Sequence, residues 1–240
     1  MAKITRIVIP LYPDFDILDV CGPLAMFSSI AGTTSIVSVV AAAEPGLVKS
    51  LQGVGLQAQH ALPELSETDA IWVPGGFGSG YDAQISASSD TLAWLKREGP
   101  KAGYVCSVCT GAILLAAAGL LDGYTATTHW QFQQSLTLFP NVLLASGYPR
   151  YWMDRNRITG GGISSGLDAS LAVIAAISDS TSAMQAQLLN QYAPDPPYNA
   201  GTPLTAPPDV LASFFQHFGE GATSLEKTVT AFLAGEKHSA

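Results

Sequence analysis

The residues best suited to chemistry surround Cys109, in the run Val105-Cys106-Ser107-Val108-Cys109-Thr110-Gly111-Ala112. An apolar stretch of strand type gives way there, within one residue, to small residues of helical type, so Cys109 sits at a strand-to-helix elbow. In an open α/β sheet such an elbow pushes a side chain out at the carboxyl edge, where these sheets bind ligands. It also sets the thiol at the positive end of a helix, and both effects favour the nucleophilic thiolate. Gly111 and Ala112 leave room for the tight turn. A free cysteine is ordinarily buried and inert; it is position, as well as residue type, that argues for a nucleophile at Cys109. Cys106 completes a C-x-x-C with Cys109, but redox pairs begin the helix with the first cysteine, and Cys106 falls inside the strand. No His or Cys grouping has metal-site spacing, so no metal is expected. Cys21, in the middle of a helix, reads as packing.

A thiol that attacks an electrophilic carbon needs a proton donor for the neighbouring atom. Asp14, Asp16 and Asp19 follow the first apolar run. The first two suit solvated or helix-capping roles. Asp19, between Leu18 and Val20, is the one expected to be desolvated, with a raised pKa. Gly75 and Gly76 end another apolar run. They form either a plain strand-to-helix turn or, beside the N–H of Thr110, a pair of backbone donors for developing negative charge. His129, in Thr127-Thr128-His129-Trp130, is either a base for the thiol or, as the better reading, a packing or capping residue at a strand end.

The elements that must position these residues alternate between strand and helix. Residues 4–11 form a β-branched apolar run without helical periodicity, as in a strand buried on both faces. A helix follows over 16–30, with acids in its first turn and Gly22-Pro23 inside it, and a strand over 35–42. Residues 48–59, with Gly53 and Gly55, read as a short hairpin off the main sheet. Strands are expected over 69–73, 102–108, 124–128 and within 151–159, and helices over 91–97, 110–121 and 167–177. Together they predict an α/β protein: a doubly wound, mostly parallel, flavodoxin-like sheet with helices on both faces. The prolines between 192 and 203 exclude a helix there. An ordered Pro-rich arm at about 193–208 is expected to precede one or two amphipathic helices between 208 and 233.

A chain of 240 residues suits one domain spanning 1–240. It is 48% hydrophobic and 12% charged, with a mean hydropathy of +0.26, which points to apolar surface covered in a homo-oligomer. The net charge of −8 leaves no electrostatic footprint for nucleic acid. The opening residues are too short an apolar run for a signal peptide, and the apolar run at 112–121 is half of the roughly 20 residues a membrane span needs. No membrane partner is expected. Three cysteines without scaffold spacing suit a reducing cytoplasm.

With these residues in view, the chain resembles the ThiJ/PfpI-type, class I glutamine amidotransferase-like superfamily, and within it the isocyanide hydratases. The resemblance covers almost the whole chain. It rests on Leu18-Asp19-Val20-Cys21-Gly22-Pro23, Val73-Pro74-Gly75-Gly76, Ser107-Val108-Cys109-Thr110-Gly111, Ala126-Thr127-Thr128-His129-Trp130 and Thr159-Gly160-Gly161-Gly162-Ile163. The tail from Gln191-Tyr192-Ala193-Pro194 to Asn199-Ala200-Gly201 is the most discriminating piece. Many superfamily members carry glutamate where this chain has Asp19; the isocyanide hydratases carry aspartate. The resemblance implies attack of Cys109 on an isocyanide carbon to give a thioimidate, which water converts to an N-formamide, with Asp19 shuttling protons. It also implies a pocket lined by Thr110, Gly75, Gly76, Gly162 and Ile163, a homodimer, and no cofactor. Such a pocket should be mostly apolar, because an isocyanide offers little beyond its carbon skeleton. The rival enzyme readings, a glyoxalase, deglycase or amidase, would pair Cys109 with His129 or a glutamate. AraC-type regulators carry N-terminal domains with similar Cys-Thr-Gly and Thr-His-Trp segments, but the residues after Ser213 hold Lys227 and Lys237 and no arginine, too few and too weakly basic for a helix-turn-helix.

Overall fold

The computed structural model describes residues 3–30 and 34–239. Its strands are β1 (Lys3–Pro10), β2 (Thr34–Ala42), β3 (Gly46–Lys49), β4 (Gly55–Ala58), β5 (His60–Ala61), β6 (Ala70–Val73), β7 (Tyr104–Ser107), β8 (Thr125–Ala126), β9 (Leu143–Leu144), β10 (Tyr151–Asp154) and β11 (Arg157–Gly160). Its α-helices are α1 (Ile17–Phe27), α2 (Ser79–Asp82), α3 (Asp90–Glu98), α4 (Gly111–Ala117), α5 (Gln133–Thr137), α6 (Gly166–Ile177), α7 (Ser180–Leu189), α8 (Pro208–Phe218) and α9 (Glu220–Ser239).

Seven strands form one sheet in the order β10-β11-β7-β6-β1-β2-β5. Every pairing is parallel except that of the edge strand β10 with β11. Parallel neighbours need crossover helices, which cover the faces of the sheet and leave its central strands dry. All four residues of β6 and all four of β11 are accordingly buried. Helices α1, α6 and α7 pack together as one layer, while α3, α4, α5 and α9 make a second series of contacts. The fold is thus the doubly wound α/β sheet that the alternating pattern predicts.

Several elements depart from the sequence reading. Helix α4 stops at Ala117, and Gly119 leaves it at φ +73°. The stretch 151–159 divides into a hairpin, because Arg155 turns the chain at φ 54°. Strand β8 pairs with β9 in a small separate sheet instead of joining the main one. Helix α7 carries no sharp apolar stripe and was not anticipated; it is held by packing on α6. Residues 191–207 hold neither helix nor strand, as the prolines require, and α9 runs to Ser239, beyond the expected end.

Candidate active site

The carboxyl ends of four adjacent strands meet at one place. Strand β1 leads to Asp16 and Asp19, β6 to Gly75 and Gly76, β7 to Cys109, and β11 to Gly161, Gly162 and Ile163. Cys109 has φ 55°, a left-handed conformation that costs a non-glycine residue about 1–3 kcal/mol. Its backbone is held on both sides: its N–H donates to Gly161 O at 2.8 Å, and its carbonyl accepts from the Thr128 hydroxyl at 2.8 Å. These bonds tie the elbow to β11 and to the segment after β8, and they offset the strain.

Gly111 makes the turn possible. A Cβ there would run into the Val73 carbonyl oxygen and lie 2.7 Å from that of Pro74. Gly111→Ala is therefore expected to destabilise the protein by about 1–3 kcal/mol, read as a lower urea midpoint at unchanged slope. An unmoved midpoint would show that the elbow has slack the packing does not suggest.

Asp19 is fully buried on the inner side of α1. One carboxyl oxygen, Oδ2, accepts from Gly75 N–H at 2.7 Å; the other, Oδ1, has no hydrogen-bond partner among the described residues. Gly75 separates the acid from the thiol. A Cβ at Gly75 would lie 2.6 Å from Cys109 Cβ and 2.8 Å from Asp19 Oδ2, so only glycine lets the two approach across it. Burial, and secondarily the charge of Asp16, raises the Asp19 pKa well above the usual carboxylate range, against the opposing Gly75 N–H. The expectation of a desolvated acid at this position agrees with the geometry.

The thiol departs from expectation. Burial first, then the neighbouring Asp19 and Asp16, push the Cys109 pKa up, and the Thr110 N–H and hydroxyl only partly oppose them. The helix behind Cys109 has seven residues, too short an array of peptide dipoles to outweigh desolvation beside two acids. Cys109 and Asp19 thus form an interacting pair in which each pKa is raised.

The glycine amides are engaged. Gly75 N–H is bonded to Asp19, and Gly76 N–H donates to the Thr110 hydroxyl at 2.8 Å, which itself donates to Gly76 O at 2.7 Å. They therefore hold the acid and the threonine in place and do not stand free as oxyanion donors. His129 Nδ1 accepts from Gln131 N–H at 3.2 Å, the capping role preferred from sequence, and burial lowers its pKa to about 4. The ring is thus neutral near pH 7, and no hydrogen bond joins it to Cys109 among the described residues. Cys106 is buried in β7, with its thiol pushed up to about 12 by desolvation. Cys21 is exposed, not packed: it lies on the outer side of α1. Asp14, at φ 65°, accepts from Gly80 N–H at 2.8 Å.

A cavity of about 320 Å³ opens above Cys109. Phe77, Phe132, Ile163, Phe214 and Phe218 form most of its wall, with His129 and Asp16 beside the thiol. Two contributors escaped the sequence reading. Asp16 caps α1 as expected, yet it is only 5% exposed and faces the cavity. Helix α8 brings Phe214 and Phe218 from far along the chain, and the strong apolar stripe 211-214-215-218 was the available signal. Gly201 and Thr202 of the arm reach a second cavity, which shares His129 and Ile163 with the first and adds Gly162.

A cysteine at a strand-to-helix elbow, backed by a buried acid from the first helix of a parallel sheet, defines a class of α/β proteins. Residues 5–176 match the DJ-1/PfpI family, and the chain belongs to it. It is 35% identical over 201 residues to the isonitrile hydratase of Pseudomonas putida, covering 84% of each chain. The crystal structure of a ThiJ/PfpI family protein from Pseudomonas syringae is similar at 32% identity and a TM-score of 0.87, covering 95% of this chain and 91% of that one. The HTH-type transcriptional regulator GlxA of Rhizobium meliloti is 33% identical over 154 residues, which is 64% of this chain and 46% of the regulator. No helix among the described residues is long and apolar enough to cross a membrane.

Proposed function

We propose that the protein is an isocyanide hydratase, in which Cys109 is the nucleophile and Asp19 the proton shuttle. The observation that carries this reading is the placement of a buried acid of raised pKa and a thiol on either side of Gly75, with the thiol at the base of an aromatic-walled cavity. The likeness to the Pseudomonas putida isonitrile hydratase supports it. Addition of a thiol across an isocyanide carbon needs no strong base near the sulfur. It needs a proton delivered as the carbon–sulfur bond forms.

In the first step the Cys109 sulfur bonds to the terminal carbon of R–N≡C. That carbon takes a proton from the Asp19–Cys109 pair, giving the thioimidate R–N=CH–S–Cys109. Water then adds to the same carbon with its proton passing by way of Asp19 to nitrogen. Collapse of the adduct breaks the carbon–sulfur bond, returns the proton to the pair and releases R–NH–CHO. Asp19 does not line the cavity, so it serves the reacting carbon and the nitrogen beside it and not the remote end of the substrate. Thr110, tied to Gly76 and to the Tyr81 hydroxyl, fixes the elbow during these steps. Ile163 and His129 bound the reacting end of the substrate, and the neutral imidazole leaves the shuttle to Asp19.

The site favours apolar, aromatic R groups, since Phe77, Phe132, Phe214 and Phe218 surround the space beyond the thiol. Phe214→Ala is expected to raise KM for an aryl isocyanide by about tenfold, corresponding to 1–2 kcal/mol of lost packing, with little effect on a small alkyl isocyanide. An equal change for both substrates would place the aryl group elsewhere. The exposed apolar side chains of α7 and the arm, among them Leu188 at 82% and Tyr198 at 81% exposure, support a homodimer that covers them.

Ultraviolet absorbance of the purified protein with an aryl isocyanide tests the proposal. Formation of the N-formamide is expected. Saturable binding without product, across several isocyanides, would favour a ligand-binding module of the regulator type. Turnover of aldehydes or amides instead would favour another cysteine reaction on this fold.

A further inference from the structure

Helix α1 begins with Asp16-Ile17-Leu18-Asp19, acids at the N-cap and at the third helical position. In a capping box the second acid reaches back to the N-cap N–H. Here it does not. Asp16 N–H donates to Gly75 O at 2.8 Å, while Asp19 Oδ2 takes Gly75 N–H at 2.7 Å, so the two acids grip both backbone groups of the glycine that separates Asp19 from Cys109. The Asp16 side chain is fixed independently. Its Oδ1 accepts from Leu18 N–H at 3.0 Å and its Oδ2 from the Gln52 amide at 2.7 Å, and Gln52 in turn accepts from Ile17 N–H at 3.1 Å.

Both Asp16 oxygens therefore accept N–H bonds, an arrangement that suits a carboxylate. This carboxylate lines the cavity beside Cys109, whereas Asp19 lies behind it. We propose that Asp16 is an electrostatic positioning residue: a fixed negative charge, clamped by Gln52 and the first turn of α1, that keeps the shared protons on Asp19 and Cys109 until substrate enters. The proposal builds on the reading of Asp19 and Cys109 as the reacting pair.

The physical reason is like-charge repulsion within one helical turn, acting where little water screens it. The ionisable groups facing the pair are Tyr12 at the end of β1, Tyr81 on α2, Asp16 on the loop into α1 and His129 after β8, with His217 and Glu220 at the cavity wall supplied by α8 and α9. Tyr12 and Tyr81 are neutral, both held well above their ordinary pKa chiefly by burial, and burial keeps His129 neutral near pH 7. Asp16 is the charged group that raises both members of the pair.

Asparagine and serine cap helices about as well as aspartate, so Asp16→Asn and Asp16→Ser separate charge from capping. The probe is iodoacetamide, with modification followed by mass on the Cys109 peptide so that exposed Cys21 does not contribute. Both variants are expected to alkylate at Cys109 about threefold faster or more at fixed alkaline pH, a profile shifted down by about half a unit or more. Their thermal midpoints should stay near that of the wild type. Profiles that superimpose on the wild type would overturn the proposal, whatever happens to turnover. The assay needs no isocyanide: a shifted profile in a protein that hydrates nothing would retain this inference and remove the proposed reaction, and turnover with unshifted profiles would do the reverse.

Discussion

Cys109→Ala is expected to fold normally and to lose all detectable hydration of isocyanides. The substitution removes one sulfur from a side chain that is 6% exposed, and it leaves in place the bonds from Gly161 and Thr128 that hold the elbow. Alanine is also no worse suited than cysteine to the strained backbone. The chemical loss is complete because the other two thiols cannot substitute: Cys106 is sealed in β7, and Cys21 lies on the outer face of α1. Comparing initial formamide formation in wild type and variant checks this. Residual turnover within about a hundredfold of wild type would reject covalent catalysis, since losing a nucleophile ordinarily costs far more.

The second large effect falls on Asp19. In Asp19→Asn the amide oxygen still accepts from Gly75 N–H, so the shape of the site is kept while its transferable proton is lost. Turnover should fall by about 10²–10⁴-fold, the usual worth of a positioned acid–base group. Thiol reactivity should move the other way. The Asp19 carboxylate is among the causes that push the Cys109 pKa up, so its removal is expected to leave alkylation at Cys109 unchanged or faster at alkaline pH. Measuring both rates on one preparation separates the roles. A parallel fall in turnover and in alkylation would recast Asp19 as the partner that activates the thiol.

The central features of this site were legible because they depend on local rules. A buried strand such as β7 must be apolar on both faces, and the switch to small residues after Val108 marks the elbow and hence Cys109. The apolar neighbours of Asp19 singled it out as the buried acid, although only Val20 turns inward with it and Leu18 stays exposed. What local pattern does not carry is direction and partnership. Gly75 and Gly76 end a strand as expected, but their N–H groups are taken by Asp19 and Thr110, side chains 56 and 34 residues away. The thiol's protonation turned on burial and two nearby acids more than on the helix behind it. Asp16 reads as an ordinary helix cap until the cavity is seen beside it. Helix α8 is visible as an amphipathic segment, but only the three-dimensional fold puts Phe214 and Phe218 over a cysteine about a hundred residues earlier.

The proposed reaction requires the substrate to be bonded to Cys109 during turnover, and that bond can be looked for directly. Wild-type protein mixed with excess aryl isocyanide, quenched in acid within the first turnovers and analysed by mass, should show a mass increase equal to the whole isocyanide, localised to the Cys109 peptide and absent from Cys109→Ala. Formamide production at full rate with no adduct at any quench time would contradict the account and point to direct addition of water in the cavity.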